Sequence, residues 1–414
     1  MPSLANAPWL VAPATQSVLG VLEAGGYDSR AVGGTVRNAL MGLPVTDTDI
    51  ATTAPPEETM RLARLAGLQA HPTGLQHGTV TLVAHGVSIE VTTLRRDVET
   101  FGRHATVAFT DNWTEDARRR DFTINALYCD RSGGVHDPLG GYPDIVARRV
   151  RFIGDPHDRI GEDYLRILRF FRFQATHGLG PFDEPGLAAC AALKAGLRCL
   201  SAERIRSELI KLVVAPGAQD AVTAMAAAGI WHVMFDAPPD LARFDRLTRI
   251  ETALDLSPDP IGRLAALTLT APVQAAGLAD RLRLSSAQAG RLAIAAATID
   301  GRTITPAAGT QRAMELLYRL GPEAFRITVL LSWAMAGSAP DDAAWQALAR
   351  LGEHGPPPRL PVKGADIVAL GVAPGPGVGA ILARFEDWWI ADGFPQDPVH
   401  VHAALGRIVA EHQS

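Results

Sequence analysis

Cysteine is scarce. Cys129, Cys190 and Cys199 are the only ones, odd in number and without CxxC spacing. They support neither a disulfide framework nor a thiolate zinc site. Lysine is almost missing: only Lys194, Lys211 and Lys363 occur, and arginine supplies the other cations. Arginine content alone is therefore a poor guide to function. Excess positive charge is also absent, since 39 Lys and Arg face 44 Asp and Glu for a formal net charge of -5. A protein that coats nucleic acid indiscriminately is usually basic, so RNA binding here requires a local patch. No apolar run reaches the roughly 18 residues that cross a bilayer. The opening MPSLANAPWLVAPATQ has no basic n-region of a signal peptide. No fixed-period repeat indicates a solenoid. These absences predict a cytoplasmic protein with no membrane partner.

What is present fits a globular chain. The 414 residues are 47% hydrophobic and 20% charged, enough for two or three domains. Up to about residue 150, strand-like and helix-like stretches alternate. DSRAVGG reads as a strand ending in a glycine turn, and TVRNALMG as a short helix stopped at Gly42. VTDTDIAT reads as a strand, and PPEETMRLARLAG as a helix with Pro and Glu in its first turn. GTVTLVAHGVSIEVTTLR reads as two strands joined at His85-Gly86. From about Arg151 onward the periodicity is helical, as in EDYLRILRFFRFQATHG, SAERIRSELIKLVV and DAVTAMAAAGIWHVM. Pro/Gly-rich breaks at GEHGPPPRLPVKG and GVAPGPGVG divide the C-terminal part. The expectation is an α+β head on a mixed sheet, over 1–150, followed by helices.

One stretch concentrates chemistry: AVGGTVRNALMGLPVTDTDIATTA, residues 31–54. On a strand, Asp47 and Asp49 point to one face. Two carboxylates that close repel unless a cation sits between them, and Mg²⁺ is commonly held by one or two carboxylates plus substrate phosphates. Gly33-Gly34 closes a strand and opens a helix, where backbone N–H groups can meet phosphate oxygens. Arg37, one turn on, adds a charge-assisted contact. A bare DxD or GG is a weak signal; their adjacency is what counts. In GVSIEVTTLR, Glu90 shares a strand face with Ser88 and Thr92. On a buried strand it requires a partner, either an arginine or the metal site.

Five ordered motifs, GGTVRNALMG…TDTDIATTA, IEVTTLRRDVETFGRH, RRRDFTINALYCD, DPLGG and RIGEDYLRILRFFRF, resemble the class II tRNA nucleotidyltransferases and bacterial poly(A) polymerases of the DNA polymerase β superfamily. SAERIRSEL resembles a later neck motif of that family, and LGVAPGPGVGAILARFEDWWI a C-terminal segment of some bacterial members. The resemblance implies a polymerase-β-like nucleotidyltransferase head with a mixed sheet (1–150), a helical neck (151–215) and a helical body and tail that bind RNA (216–414), in a seahorse-like arrangement. It implies addition of C, C and A to the 3′ end of tRNA from CTP and ATP, without a template. By motif, Asp47 and Asp49 hold Mg²⁺, while Gly33, Gly34, Arg37 and Arg120 meet the nucleotide. Glu90 matches a third acid proposed in some members. One residue departs from the pattern: Asn38 stands where the family usually has Asp, which implies a weaker anchor for Arg37.

In GEDYLRILRFFRF, read as one helix, Asp163 and Arg166 share a face. Cytosine and adenine both offer an amino donor beside an unprotonated ring nitrogen. An aspartate accepting from the first and an arginine donating to the second suit both bases. Guanine and uracil present the reverse pattern and fail both contacts. The resemblance assigns the same role to these two residues. Arg169 and Arg172 continue the row toward triphosphate or tRNA phosphates, and the intervening Ile167, Leu168, Phe170, Phe171 and Phe173 pack the helix onto the head. Such sites use two Mg²⁺ ions, roughly 3.5–4 Å apart, to activate the 3′-OH and stabilise pyrophosphate.

Several rivals remain at this point. The His136-Asp137 and His157-Asp158 dipeptides hint at a phosphohydrolase, but the first lies in a turn and the second in a predicted connector. A poly(A) polymerase tends to carry an arginine-rich strand where this chain has TGLQHGTVTL. CC-adding forms are described as lacking the loop that RDVETFGRHATVAF fills here, whereas an A-adding enzyme is not separable by motif. A non-catalytic RNA-binding protein has no use for the acid pair, the phosphate turn and the base-reading pair together. tRNA recognition by shape is expected, with Arg204, Arg206 and Lys211 as candidate contacts and no DNA partner.

Overall fold

The computed structural model describes residues 1–101, 104–235, 237–271, 273–353 and 358–413. They divide into two compact units, Met1–Pro239 and Asp240–Ser414. The predicted borders after residues 150 and 215 both fall inside the first unit.

The first unit is built on strands β1 (Ser29–Val32), β2 (Asp49–Thr52), β3 (Gln69–Gly74), β4 (Thr79–Ala84), β5 (Val87–Thr93), β6 (Arg95–Phe101), β7 (His104–Phe109), β8 (Tyr128–Cys129) and β9 (Val135–His136). Among the described residues they form a seven-stranded sheet, β3-β4-β5-β2-β1-β8-β9, and a separate β6-β7 hairpin. The large sheet is mixed: β2 runs parallel to β5 and antiparallel to β1. Period-two burial sets its faces. Val80, Leu82, Ile89 and Val91 are at most 1% exposed and lie under the Pro13–Ala24 and Pro56–Leu65 helices. Burying each such side chain contributes roughly 1.5–3 kcal/mol. The β4–β5 connection is a two-residue turn with φ +51° at His85 and +76° at Gly86, the positive pair that a tight hairpin of right-handed twist requires.

Two expectations are corrected here. VTDTDIAT is strand only from Asp49. β1, which pairs Ala31 with Ile50, leaves the sheet at Gly33, so the residues before Asp49 have no ladder on that side. Nor is β5 buried on both faces. Ser88 and Glu90 are exposed, and the open face relieves Glu90 of any need for a partner.

The rest of the unit is mainly helical. The Leu165–His177 helix buries Ile167, Leu168, Phe170 and Phe171 completely. Phe170 stacks on Phe152 at 5.2 Å, and Phe173 meets Phe122 at 5.1 Å, which fixes the helix to the head as expected. Behind it pack Ala202–Val213 and Ala218–Ala227. GEDYLRILRFFRF is not one helix: Pro156–Glu162 ends at Asp163, whose backbone is extended, and the next helix starts at Leu165. His157-Asp158 accordingly lies in the first turn of a helix rather than in a connector.

The second unit has only helices among its described residues. Phe325 and Trp333 of Pro322–Ala336 are buried against Ser286–Ile299 and Leu241–Ala253, and Trp333 stacks on Trp345 at 5.8 Å. A second cluster joins Phe385 and Trp389 of Pro376–Ala391 to Leu405 of Pro398–Gln413. No helix among the described residues is long and apolar enough to cross a membrane.

Candidate functional site

β1 ends at Val32, and Gly33, at φ +70°, turns the chain into the Gly34–Leu40 helix. A side chain at Gly33 is strained at that φ. The turn opens a cleft of about 550 Å³ lined by Gly33, Gly34, Arg37, Asp49, Arg120, Asp121, Asn125, Asp163, Arg166, Arg169, Arg172, Phe173 and Arg204. Six arginines face three aspartates there, a field suited to a polyanion. A larger cavity, about 680 Å³, includes Arg118, Arg151, Asp155 and Asp158 but neither aspartate of the DTD pair nor the glycine turn. Chemistry rather than size singles out the smaller one.

Asp47 and Glu90 flank the cleft without lining it. Asp47 is exposed and precedes the strand; Glu90 lies directly across the parallel ladder from Asp49. Among the described residues Glu90 makes no side-chain hydrogen bond or ion pair, and no cluster of three or more metal-type side chains forms. The donor set is thus an incomplete one of carboxylate oxygens. It fits a hard divalent cation that keeps water and takes phosphate oxygens, not a closed zinc-type cage.

Asp49 sits open to solvent yet crowded on most sides. Crowding raises its carboxyl above the ordinary range first, and Glu90 raises it further; Arg120 opposes this, and Asp47 adds to it. A carboxyl raised in the folded state favours the protonated native form. Its stabilisation is complete below the unfolded carboxylate range and is lost as pH rises through the raised value. Two results follow for the protein in EDTA. Melting temperature at pH 7 is expected to be higher for Asp49→Asn than for the parent, and the difference to be smaller at pH 4. Scanning calorimetry at both pH values checks this.

The arginines are held by a buried network. Arg120 donates to Asp116 at 3.0 Å, as does Arg119 at 2.8 Å, and the Tyr128 hydroxyl donates to the same carboxylate. Burial pushes Asp116 up, but these three partners outweigh it and hold it at about 2. Arg120 keeps a buried Nε–H without a protein acceptor. Burial lowers Arg37 to about 10, with Asp121 opposing and Arg172 and Arg169 assisting, so it stays charged at neutral pH. Arg37 donates from Nε and Nη2 to Asn38 Oδ1 at 3.1 and 2.9 Å, and from Nη1 to Asn125. The expected weak anchor at Asn38 is a made contact with a neutral oxygen. Asn125 in turn donates to Asp121, which pairs with Arg169. Glu208 takes Arg172 and lies 3.8 Å from Arg169. Arg169 and Arg172 reach the cleft already paired.

Asp163 and Arg166 both line the cleft, but not as an i, i+3 pair. Asp163 accepts from the Leu165 N–H at 3.1 Å and from Arg204 at 2.6 Å. Arg166 pairs with Glu162 and donates to the Arg159 carbonyl at 2.7 Å. Arg159 ties the Arg119 and Arg120 carbonyls to the same Glu162. Each carboxylate oxygen has two acceptor sites and Arg has five N–H groups, so both residues retain capacity for a ligand. Arg204, a candidate RNA contact by sequence, instead secures Asp163. Asp116, Asp121, Asn125, Glu162 and Glu208 were missed as site-building residues. Their signal was only adjacency, in EDARRRD, FTIN, GED and SEL. His136, by contrast, lies in β9 rather than in a turn and pairs with Asp130, and Asp137 caps the Gly141 and Tyr142 N–H groups.

Comparison with known proteins adds an independent line. The family model described as "Poly A polymerase head domain" matches residues 29–151, and "Probable RNA and SrmB-binding site of polymerase A" matches 182–244. The chain is 31% identical over 390 residues to CCA tRNA nucleotidyltransferase 1, mitochondrial, of Mus musculus, covering 89% of this chain and 84% of the relative. It is 31% identical over 396 residues to the CCA-adding enzyme of Lacticaseibacillus paracasei, covering 92% of each. The Bacillus stearothermophilus CCA-adding enzyme, solved in complex with CTP, superposes with a TM-score of 0.73 at 27% identity, over 97% of this chain and 98% of that one.

Proposed function

Because the chain belongs to the family of CCA-adding tRNA nucleotidyltransferases and poly(A) polymerases, we propose that it adds C, C and A to the 3′ end of tRNA from CTP and ATP, without a template. The observation that carries this reading is the cleft. It places the glycine turn, a carboxylate of the DTD pair, a cluster of arginines and the Asp163/Arg166 pair around one nucleotide-sized space.

Each group has a task in that reaction. Gly33, Gly34, Arg37 and Arg120, which line the cleft, hold the triphosphate. Arg169 and Arg172 fix the far wall. Asp163 accepts from the amino group of C or A, and Arg166 donates to the ring nitrogen. Asp47 and Asp49 are the residues to hold Mg²⁺, and Glu90 borders them. When bound, the cation lowers the pKa of the RNA 3′-OH and neutralises charge on the leaving pyrophosphate. The 3′ oxygen loses its proton to solvent and forms a bond to the α-phosphorus, while the bond from that phosphorus to the α,β-bridging oxygen breaks in line and pyrophosphate leaves. In this assignment residues 1–150 are the catalytic head, 151–215 the neck that carries the base-reading pair, and 216–414 the body and tail that bind tRNA. The β6–β7 hairpin occupies the stretch expected of a full CCA enzyme; Gly102 and Arg103 of that stretch lie outside the described residues. Three free cysteines fit a reducing, cytoplasmic setting.

The test is a tRNA ending at its discriminator base, incubated with Mg²⁺ and CTP, ATP or both, followed by sequencing of the 3′ ends. The expected products are CC with CTP alone and CCA with both, with no use of G or U. A tail of many A, or extension only of a CC-ended tRNA, assigns a poly(A) or an A-adding enzyme. No extension of any end overturns the reading.

A further inference from the structure

The irregular segment that carries Asp47 is not held by the sheet. Its attachments run instead to the Gly34–Leu40 helix. Thr35 Oγ donates to the Asp47 carbonyl at 3.0 Å and accepts the Asp49 N–H at 3.3 Å. Leu43 N–H donates to the Asn38 carbonyl at 2.8 Å, and Asn38 Nδ2 donates to the Pro44 carbonyl at 2.9 Å. Thr35 and Asn38 are three apart, on one face of the helix. Thr35 is 2% exposed, so its hydroxyl has no water to turn to.

We propose that Thr35 and Asn38 are positioning residues that clamp the aspartate segment to the phosphate-turn helix and so fix the Asp47 and Asp49 carboxylates relative to Arg37. The proposal rests on the nucleotidyltransferase reading of this cleft. Two features of the clamp are chemically specific. A single hydroxyl acts as donor to one aspartate's carbonyl and as acceptor for the other's amide, which neither Val nor Ala reproduces. Asn38 uses both ends of its amide, Oδ1 on Arg37 and Nδ2 on Pro44. An aspartate here keeps the first contact and cannot make the second. The charge that Asn lacks is therefore offset by a bond to the loop, and one side chain spans both the phosphate arginine and the metal segment. Groups that orient metal ligands from behind typically change affinity by about 10–100-fold when removed.

The experiment compares the full-length parent with Thr35→Val, Thr35→Ser and Asn38→Asp. Mn²⁺ serves as probe, with the free ion counted by electron paramagnetic resonance in the absence of nucleotide and tRNA. In parallel, CTP incorporation is measured as a function of Mg²⁺, and melting is recorded in EDTA. Thr35→Val is expected to weaken Mn²⁺ binding by about tenfold or more. The half-saturating Mg²⁺ rises with it, while the KM for CTP at saturating Mg²⁺ stays within about twofold. Thr35→Ser restores both, and Asn38→Asp shifts Mn²⁺ binding in the same direction by a smaller factor. Parental Mn²⁺ affinity in Thr35→Val, or failure of Thr35→Ser to restore it, overturns the clamp. Since binding is counted without tRNA, Thr35-dependent Mn²⁺ affinity in a chain that extends no tRNA refutes the functional reading and leaves the clamp standing. Normal CCA addition with Thr35-independent affinity does the reverse.

Discussion

Asp49→Ala is expected to reduce nucleotide addition by about 10³-fold or more. A bound divalent cation supplies several kcal/mol of charge stabilisation in such reactions, and about 4 kcal/mol corresponds to three powers of ten in rate. Asp49 is the member of the DTD pair that lines the cleft, and among the described residues no cluster of three or more carboxylates forms that could hold the cation without it. The loss is expected in kcat rather than in CTP binding. The six arginines of the cleft remain, and removing an anion beside them does not weaken their hold on a triphosphate. Single-turnover incorporation with a separate CTP titration tests this. A variant that adds CTP at the parental rate once CTP is saturating shows that Asp49 only aids binding, which sinks its metal role.

Arg166→Ala is expected to erase most of the selection against U and G. Sites built on buried hydrogen bonds reject analogues that leave those groups unpaired by about 10⁴–10⁵-fold. With one of the two reading contacts removed, discrimination between CTP and UTP is expected to fall by about 10²–10³-fold, mainly through a lower kcat/KM for CTP. The fold tolerates the change, because Glu162 keeps Arg159 as its partner. Asp163→Ala is a poorer first choice, since it strands Arg204, which is only 25% exposed. Competition between CTP and UTP on one tRNA, read by sequencing the products, measures the ratio. Unchanged selectivity in a folded Arg166→Ala protein places base reading elsewhere in the cleft.

How much of this was legible in advance depends on the range of the interaction. The β5 alternation, the positive-φ turn at His85-Gly86 and the glycine stop after the first short helix follow from nearest-neighbour rules, and the structure has them. The errors were local too, but with distant causes. Asp47 fell outside β2 because the neighbouring strand turns away at Gly33. Asp163 interrupts an apparently continuous helix with an extended backbone; its carboxylate accepts from the Leu165 N–H and from Arg204, 41 residues further on.

The sequence by itself determined the chemistry on offer: a carboxylate pair beside a glycine turn, an arginine row spaced by apolar residues, and an aspartate–arginine pair matched to C and A. It did so because residue identity and short spacing set which groups exist and which side of an element they take. The tertiary structure decided how those groups are committed. Arg37 meets Asn125, 88 residues away, and Arg169 meets Asp121, 48 residues away. Asp49 faces Glu90 only through a parallel ladder. Charged side chains form whichever pair burial and approach allow, and in a chain rich in arginine and acids the possible pairings far outnumber those made. Only the packing of the strands and helices of the first unit on one another selects among them.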